Sequence, residues 1–377
     1  LGNLNIEFSR SASTQEQDEH FAVADIAEQL RRTDDHTVLF FCSSRYDLAR
    51  LKEGINQRFS GNVIGCTSAG LIGPHGFQRG GLTAVSLSNA VFDMTTFLLQ
   101  PLSQCQDQAT QIGQSIKAHK PRLSQSGKSF GLLLVDGLSM MEEQLVAALH
   151  KSVTDLPIIG GSAGDDLRLR ETHVWYQGAF HSDAAVLAVA TTAVPFQLLR
   201  VHHFVPSDRV LTITAADPKK RTILEINGEP AALAYADLVE VSIADLNPNV
   251  FSRHPLLIEL EGKYHVRSIQ RVNGDGALIM SSAIETGQKP CVGEPRDPLA
   301  VLKEAFDSLI PEVREPTLVI GFDCVLRRLE FEQRRIDAEV GRFMARHNVI
   351  GFCSYGEQYD NLHVNQTFTG VALKLAF

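Results

Sequence analysis

One pattern recurs three times along the chain and limits what it can fold into: an apolar strand, a polar loop, a helix, then a short strand ending in glycine. In the first copy Val38-Leu-Phe-Phe-Cys42 leads through a helix over residues 48–59 into Val63-Ile-Gly-Cys-Thr-Ser-Ala-Gly70, and a strand over 82–87 closes it. In the second, Leu132-Leu-Leu-Val135 precedes a helix over 140–153, then Ile158-Ile-Gly-Gly-Ser-Ala-Gly164 and a closing strand at 185–190. The third has Leu318-Val-Ile-Gly321 and one amphipathic helix bearing Leu329, Ile336, Val340 and Phe343. It ends in Val349-Ile-Gly-Phe-Cys-Ser-Tyr-Gly356 and a strand over 368–375.

Such a unit cannot cover both faces of its own sheet, so three of them are expected to pack around shared cores. Their uneven spacing excludes a solenoid. Between the second and third copies lie short apolar runs at 210–213, 222–226, 264–269 and 276–280, broken by Asn227-Gly228 and Asp275-Gly276, which read as antiparallel hairpins. Pro195, Pro206 and Pro218 interrupt the pattern, and a boundary is placed there. The expected fold class is mixed α/β or α+β, in two lobes: residues 30–195, a junction at 196–221, and 222–377.

A length of 377 residues exceeds what one core usually serves, consistent with two lobes. A net charge of −9 and the absence of a basic helix face argue against nucleic acid; Lys219-Lys220-Arg221 reads as a solvated turn. No apolar run approaches the length of a membrane span. Residues 1–20 are polar and acidic with no basic head before an apolar stretch, so a cytoplasmic location is expected. The six cysteines, Cys42, Cys66, Cys105, Cys291, Cys324 and Cys353, form no Cys-x-x-Cys pair and read as buried, reduced apolar groups.

Several strings, in this order, resemble the paired N-terminal and C-terminal FIST domains of bacterial and archaeal sensory proteins. They are Val63 to Gly70, Ile159-Gly-Gly-Ser-Ala-Gly-Asp-Asp166, Gly228-Glu-Pro-Ala-Ala232 with Tyr235, Val266-Arg-Ser268, Gly351-Phe-Cys-Ser-Tyr-Gly-Glu357 and His363-Val-Asn-Gln-Thr367. The resemblance implies a non-enzymatic sensor of a small molecule that signals through a separate protein. His202-His-Phe-Val-Pro206, Arg267-Ser-Ile-Gln270 and Cys324-Val-Leu-Arg-Arg-Leu-Glu-Phe-Glu-Gln333 further resemble the stand-alone, nitric-oxide-sensing haemoproteins of that family. That subgroup implies non-covalent haem b and a sensor histidine kinase, diguanylate cyclase or phosphodiesterase as partner. Control of biofilm is implied as output, and a homodimer is left open.

A haem that binds a diatomic gas needs a neutral imidazole on iron, an apolar slot and cations near the propionates. Of thirteen histidines, His203 is the first choice for the metal, at the lobe junction beside Phe204 and Val205. His202 is its neighbour, and His254, before Pro255, the reserve. The competing reading of the pair is a strand end with one ring solvated. Arg267 suits a propionate or, equally, a cross-strand ion pair. Nitric oxide on ferrous iron would weaken the opposite iron–histidine bond and free that segment, altering partner affinity.

Two other readings stay open. The loops at Ser162, Gly164 and Asp165, and at Ser354, Gly356 and Glu357, together with His363, could hold a small polar ligand such as an amino acid without haem. Gly160-Gly-Ser-Ala-Gly164 also fits the Gly-x-Ser-x-Gly pattern of a serine hydrolase with Ser162 as nucleophile. Against that, the residues after it look extended where a nucleophile elbow needs a helix. Asp165 and Asp166 read as a capping or solvated pair, since adjacent side chains on an extended chain diverge.

Overall fold

The computed structural model describes residues 8–31, 36–118, 127–260, 262–360 and 362–375. The three copies are present, and each is longer than its sequence signature. In the first, strand Ser9–Thr14 and helix Glu19–Leu30 precede strand His36–Ser43, helix Leu48–Arg58 and strand Val63–Ser68; a hairpin, Leu71–Gly73 with Gly76–Gln78, and strand Leu82–Ser88 follow. The second runs in the same order from Phe92–Leu99 through Cys105–Ala118, Lys128–Val135, Glu142–Ser152, Ile158–Ser162 and the hairpin Val174–Tyr176 with Ala179–His181 to Ala185–Thr192. The third takes Phe196–Val201, Pro298–Asp307, Leu318–Cys324, a helical segment, Val349–Ser354, the hairpin Glu357–Tyr359 with Leu362–Val364, and Phe368–Leu373. In every unit the two apolar strands pair in parallel and the closing strand returns antiparallel beside the first of them.

The third unit departs from the single helix expected there. Val325–Arg334 and Asp337–Arg346 are separate helices, with Arg335 at φ 59° and Ile336 in the link. The amide of Arg335 bonds the carbonyl of Glu332, and that of Ile336 the carbonyl of Phe331, so the last turn is satisfied and the chain redirects. Leu329, Ile336 and Val340 therefore do not share one stripe; Ile336 packs from the link while Val340 is buried from the second helix.

Each unit completes a neighbour's sheet. The hairpin of the second unit adds to Val63–Ser68 of the first, with Val174 opposite Cys66. The hairpin of the first adds to Val349–Ser354 of the third, with Leu71 opposite Phe352, and that of the third adds to Ile158–Ser162 of the second, with Gln358 opposite Gly160. Three 6-stranded sheets of the same strand order result, linked in a closed cycle by the exchanged hairpins. Glycines allow the crossings: Gly70 has φ +139°, and a Cβ there would lie 1.7 Å from a guanidinium nitrogen of Arg328. Side chains from all three units share one core, in which the rings of Phe41 and Phe352 lie 4.8 Å apart and those of Phe322 and Phe352 5.5 Å apart. Burying each such ring contributes about 1.5–3 kcal/mol.

After Phe196–Val201 the chain leaves the third unit and builds a second lobe before returning at Pro298–Asp307. One sheet orders Phe204–Val210, Cys291–Pro295, Leu256–Leu260 and Lys263–Arg267; the other orders Ile213–Asp217, Thr222–Ile226, Leu278–Met280 and Ile269–Val272. Helices Ala231–Leu238 and Pro248–Arg253 cover them. Asn227 and Gly228 both have positive φ, 54° and 84°, the requirement of a tight hairpin turn. The stretch read as a junction, 196–221, thus holds three strands. All six cysteines are buried and unpaired, and among the described residues no helix is long and apolar enough to cross a membrane.

Candidate functional site

The second lobe rests on the three-unit core through a polar seam. Arg221 donates to Glu142 at 2.7 Å and also contacts Glu143, while the amide of Ala283 donates to Glu143 at 2.8 Å. The hydroxyl of Ser268 donates to Gln366 at 2.9 Å, that of Ser282 to Asn365 at 2.8 Å, and the Gln366 amide donates to the carbonyl of Ser252 at 2.7 Å. Apart from the half-buried Glu143 and Ala283 these groups are buried, so each such donor or acceptor left without its partner would cost about 1–3 kcal/mol. Arg221 is not part of a solvated turn: it sits at φ 48° with 6% of its surface exposed, pulled inward by two carboxylates that hold its guanidinium above its ordinary pKa despite burial.

Along this seam lies a cleft of about 410 Å³. The second unit supplies Leu138, Met140 and Glu142 from the turn before helix Glu142–Ser152, and Leu167, Leu169 and Arg170 from the loop after Ile158–Ser162. The third unit adds Val325, Leu326 and Tyr355, and the second lobe closes the other wall with Arg221, Gln270, Arg271, Ile279 and Met280. The size and the mixture of apolar floor with a few polar groups are those of a small-molecule site. Two further clefts sit at the corresponding helix starts, one beside Asp47 and Leu48 and one beside Val325 and Arg328. Both are lined largely by side chains already paired, such as Arg168 with Ser44 and Arg328 with Glu332.

Comparison with known proteins is consistent with this arrangement. The FIST N domain matches residues 36–229 and the FIST C domain residues 231–360. The chain belongs to the FIST family. The division between the two FIST matches falls inside the second lobe, at the Asn227-Gly228 hairpin, so the FIST N match includes the opening strand of the third unit as well as the second unit and the first from His36 onward. An uncharacterised protein of Methanocaldococcus jannaschii, MJ1623, is 22% identical over 93% of this chain and 76% of its own length.

The FIST strings singled out in the sequence are largely buried scaffolding. Asp165 accepts from the amides of Leu169, Arg170 and Glu171 and pairs with the hydroxyl of Tyr355, which itself accepts from the amide of Leu167 at 2.7 Å. It thereby shapes the loop that floors the seam cleft, while its own side chain borders the neighbouring cleft beside Asp47. Ser162 accepts from Gln358 at 2.9 Å and donates toward Glu142 at 3.4 Å, fully buried, and the chain after it runs into a loop, so no nucleophile elbow forms. Ser354 donates to Glu357 at 2.5 Å, and Thr367 donates to the other oxygen; burial pushes the Glu357 carboxyl up to about 8. Gly164 and Gly356 are packing positions: a Cβ would lie 2.8 Å from Ala69 in the first case and 2.4 Å from His363 in the second. His363 donates from Nε2 to the carbonyl of Ser281 at the seam, at 3.3 Å.

His203 lies inside a buried network. Its Nδ1 is 3.0 Å from Arg327, which can only donate, so Nε2 carries the proton and donates to Glu330 at 2.7 Å. Arg327 also binds Asp323 at 2.6 Å, and Glu330 pairs with Arg334. Iron at either nitrogen would displace one of these bonds and strand a buried charge. His202, beside it, has a buried Nδ1 without a partner; burial and then Arg200 push its ring down to about 4, so it is neutral. His254 has a similarly unpartnered Nδ1. The Nε of Arg267 is buried and unpaired, and burial lowers its guanidinium to about 10. The seam cleft has no histidine in its lining. As arranged, His203, with both ring nitrogens committed, and the seam cleft, with no histidine in its lining, do not fit an iron-held macrocycle.

Of the groups that join the lobes, Glu142 and Glu143 were not singled out in the sequence, and Asn365 and Gln366 stood there only inside the string His363 to Thr367, with no role given to either. Two adjacent amides in a strand-rich stretch were the available signal for the latter pair, because buried amides need partners.

Proposed function

We propose that this chain is a receptor for a small ligand held in the cleft between the three-unit core and the second lobe. One observation carries the reading: a cleft of about 410 Å³ whose two walls belong to different lobes, and whose seam is otherwise closed by buried polar pairs. A ligand touching both walls favours the docked arrangement in proportion to its preference for that arrangement, and a partner that reads the seam then responds. The family resemblance makes a histidine kinase or a cyclic-di-GMP enzyme the expected class of partner.

The test is a thermal-shift screen of a broad metabolite panel against the native chain and against Ile279→Trp, which fills the cleft from a half-buried position. Compounds that raise the melting temperature of the native chain and not of the variant support the reading. Compounds that stabilise both alike place binding elsewhere and defeat it.

A further inference from the structure

The charges that face the seam cleft are unbalanced. Glu142 is neutralised by Arg221 at 2.7 Å, leaving no free carboxylate among the residues that line it. Arg170, on the core side, and Arg271, on the second lobe, are exposed, and among the described residues their guanidinium groups have neither a hydrogen-bond nor an ion-pair partner. Arg170 stands between this cleft and its neighbour, as it lines both. Most of the remaining lining side chains are apolar, Leu138, Met140, Ile279 and Met280 among them, and Gln270, Ser281 and Tyr355 add uncharged polar groups.

From this we infer that the cleft takes an amphipathic organic anion: one acid group, carboxylate or phosphate monoester, on an apolar body. This rests on the receptor reading above and adds the chemistry of the ligand. The apolar body gains by leaving water against the leucines and methionines, and the acid group gains a charge-assisted bond from a guanidinium that pays no price to leave an existing partner. A zwitterion such as an α-amino acid fits less well, because its ammonium group would enter a lining whose free charge is positive only. A cation is excluded on the same ground. The planar fork of arginine suits both acids, so the shared chemistry is anionic and the experiment must separate the two sources.

Isothermal titration of the whole chain with octanoate and with octyl phosphate tests this, alongside octan-1-ol, octylammonium and 2-aminooctanoate. The expected result is binding of at least one anion, with the alcohol, the cation and the zwitterion each about tenfold or more weaker, the factor expected for a hydrogen bond to a charged group. Whichever anion binds more tightly identifies the acid. Arg170→Met and Arg271→Met, both at exposed positions, should weaken the anion and leave octan-1-ol unchanged, and Ile279→Trp or Leu138→Trp should block all binding. Equal affinity for octanoate, octyl phosphate and octan-1-ol would overturn the inference. So would anion binding unmoved in the double Arg170→Met, Arg271→Met variant, or no binding of either anion to folded protein. A neutral or cationic compound from the wider screen, blocked by Ile279→Trp, would sink the anion and leave the receptor reading standing.

Discussion

Arg221 and Glu142 meet 2.7 Å apart across the seam, each nearly sealed from water, so one residue of the second lobe neutralises the first residue of a helix in the core. The pair sets the charge of the cleft and fastens its two walls together. Glu142 in turn lies within reach of the Ser162 hydroxyl, which links the seam to the strand end beneath it.

Arg221→Met should therefore destabilise the chain by about 3–5 kcal/mol, because it leaves a buried carboxylate unpaired. Adding Glu142→Gln should recover a large part of that loss. Urea denaturation of the native chain and both variants measures it; a single variant within about 0.5 kcal/mol of native would contradict a buried latch.

His203→Ala should cost about 3 kcal/mol or more, since Glu330 and Arg327 both lose a bond inside the network. His203→Gln, which keeps one donor and one acceptor, should cost less than half as much. Thermal and urea unfolding distinguish this from a ring held only by packing, for which the two substitutions would cost alike.

Gly356→Ala places a Cβ 2.4 Å from the His363 ring and should destabilise by about 1–3 kcal/mol, the range for overpacking. In a His363→Ala background the same change should cost little. Non-additivity in the double-variant cycle is the readout.

The seam should also be acid-sensitive. Burial, followed by the charge of Arg200, holds both His202 and His265 down to about 4, below their unfolded value of 6.5. Between those values the unfolded chain binds more protons, so the contribution of these rings is complete above pH 6.5 and is lost as the pH falls toward 4. The melting temperature, followed over that window, should fall less steeply in His202→Gln, His265→Gln. Glu357, whose carboxyl is raised, acts in the opposite direction, losing stability as pH rises toward 8, and Glu357→Gln separates the two effects.

Much of the fold was legible because its signals are local. Val38 to Cys42, Leu132 to Val135 and Leu318 to Gly321 read as buried strands, and the glycine-ended strands that follow each of them are where they were expected. The opening strands Ser9–Thr14 and Phe92–Leu99 escaped notice because their residues are only partly buried and alternate poorly. The break at Arg335 was hidden because an arginine in the left-handed region leaves no mark in an otherwise helical pattern.

The candidate site was less legible. Asp165, Ser354 and His363 were singled out, and the structure shows them shaping or bracing the seam while Leu138, Arg170, Arg271 and Ile279 line its cleft. Arg221 shows why. In sequence it ends a short basic run, and only the arrival of Glu142 and Glu143 from a distant helix turns it into a buried latch.

The sequence alone determined three repeated strand–helix–strand units, a hairpin-rich region between the second and third, and membership of the FIST family, because apolar periodicity and turn residues act within a few positions of themselves. Tertiary structure decided that each hairpin joins a neighbour's sheet, that the second lobe grows out of the third unit after its first strand, and that the free charge in the cleft is positive. Those depend on which surfaces meet, and the energy of a buried hydrogen bond or ion pair exists only once its two partners, far apart along the chain, have been brought together.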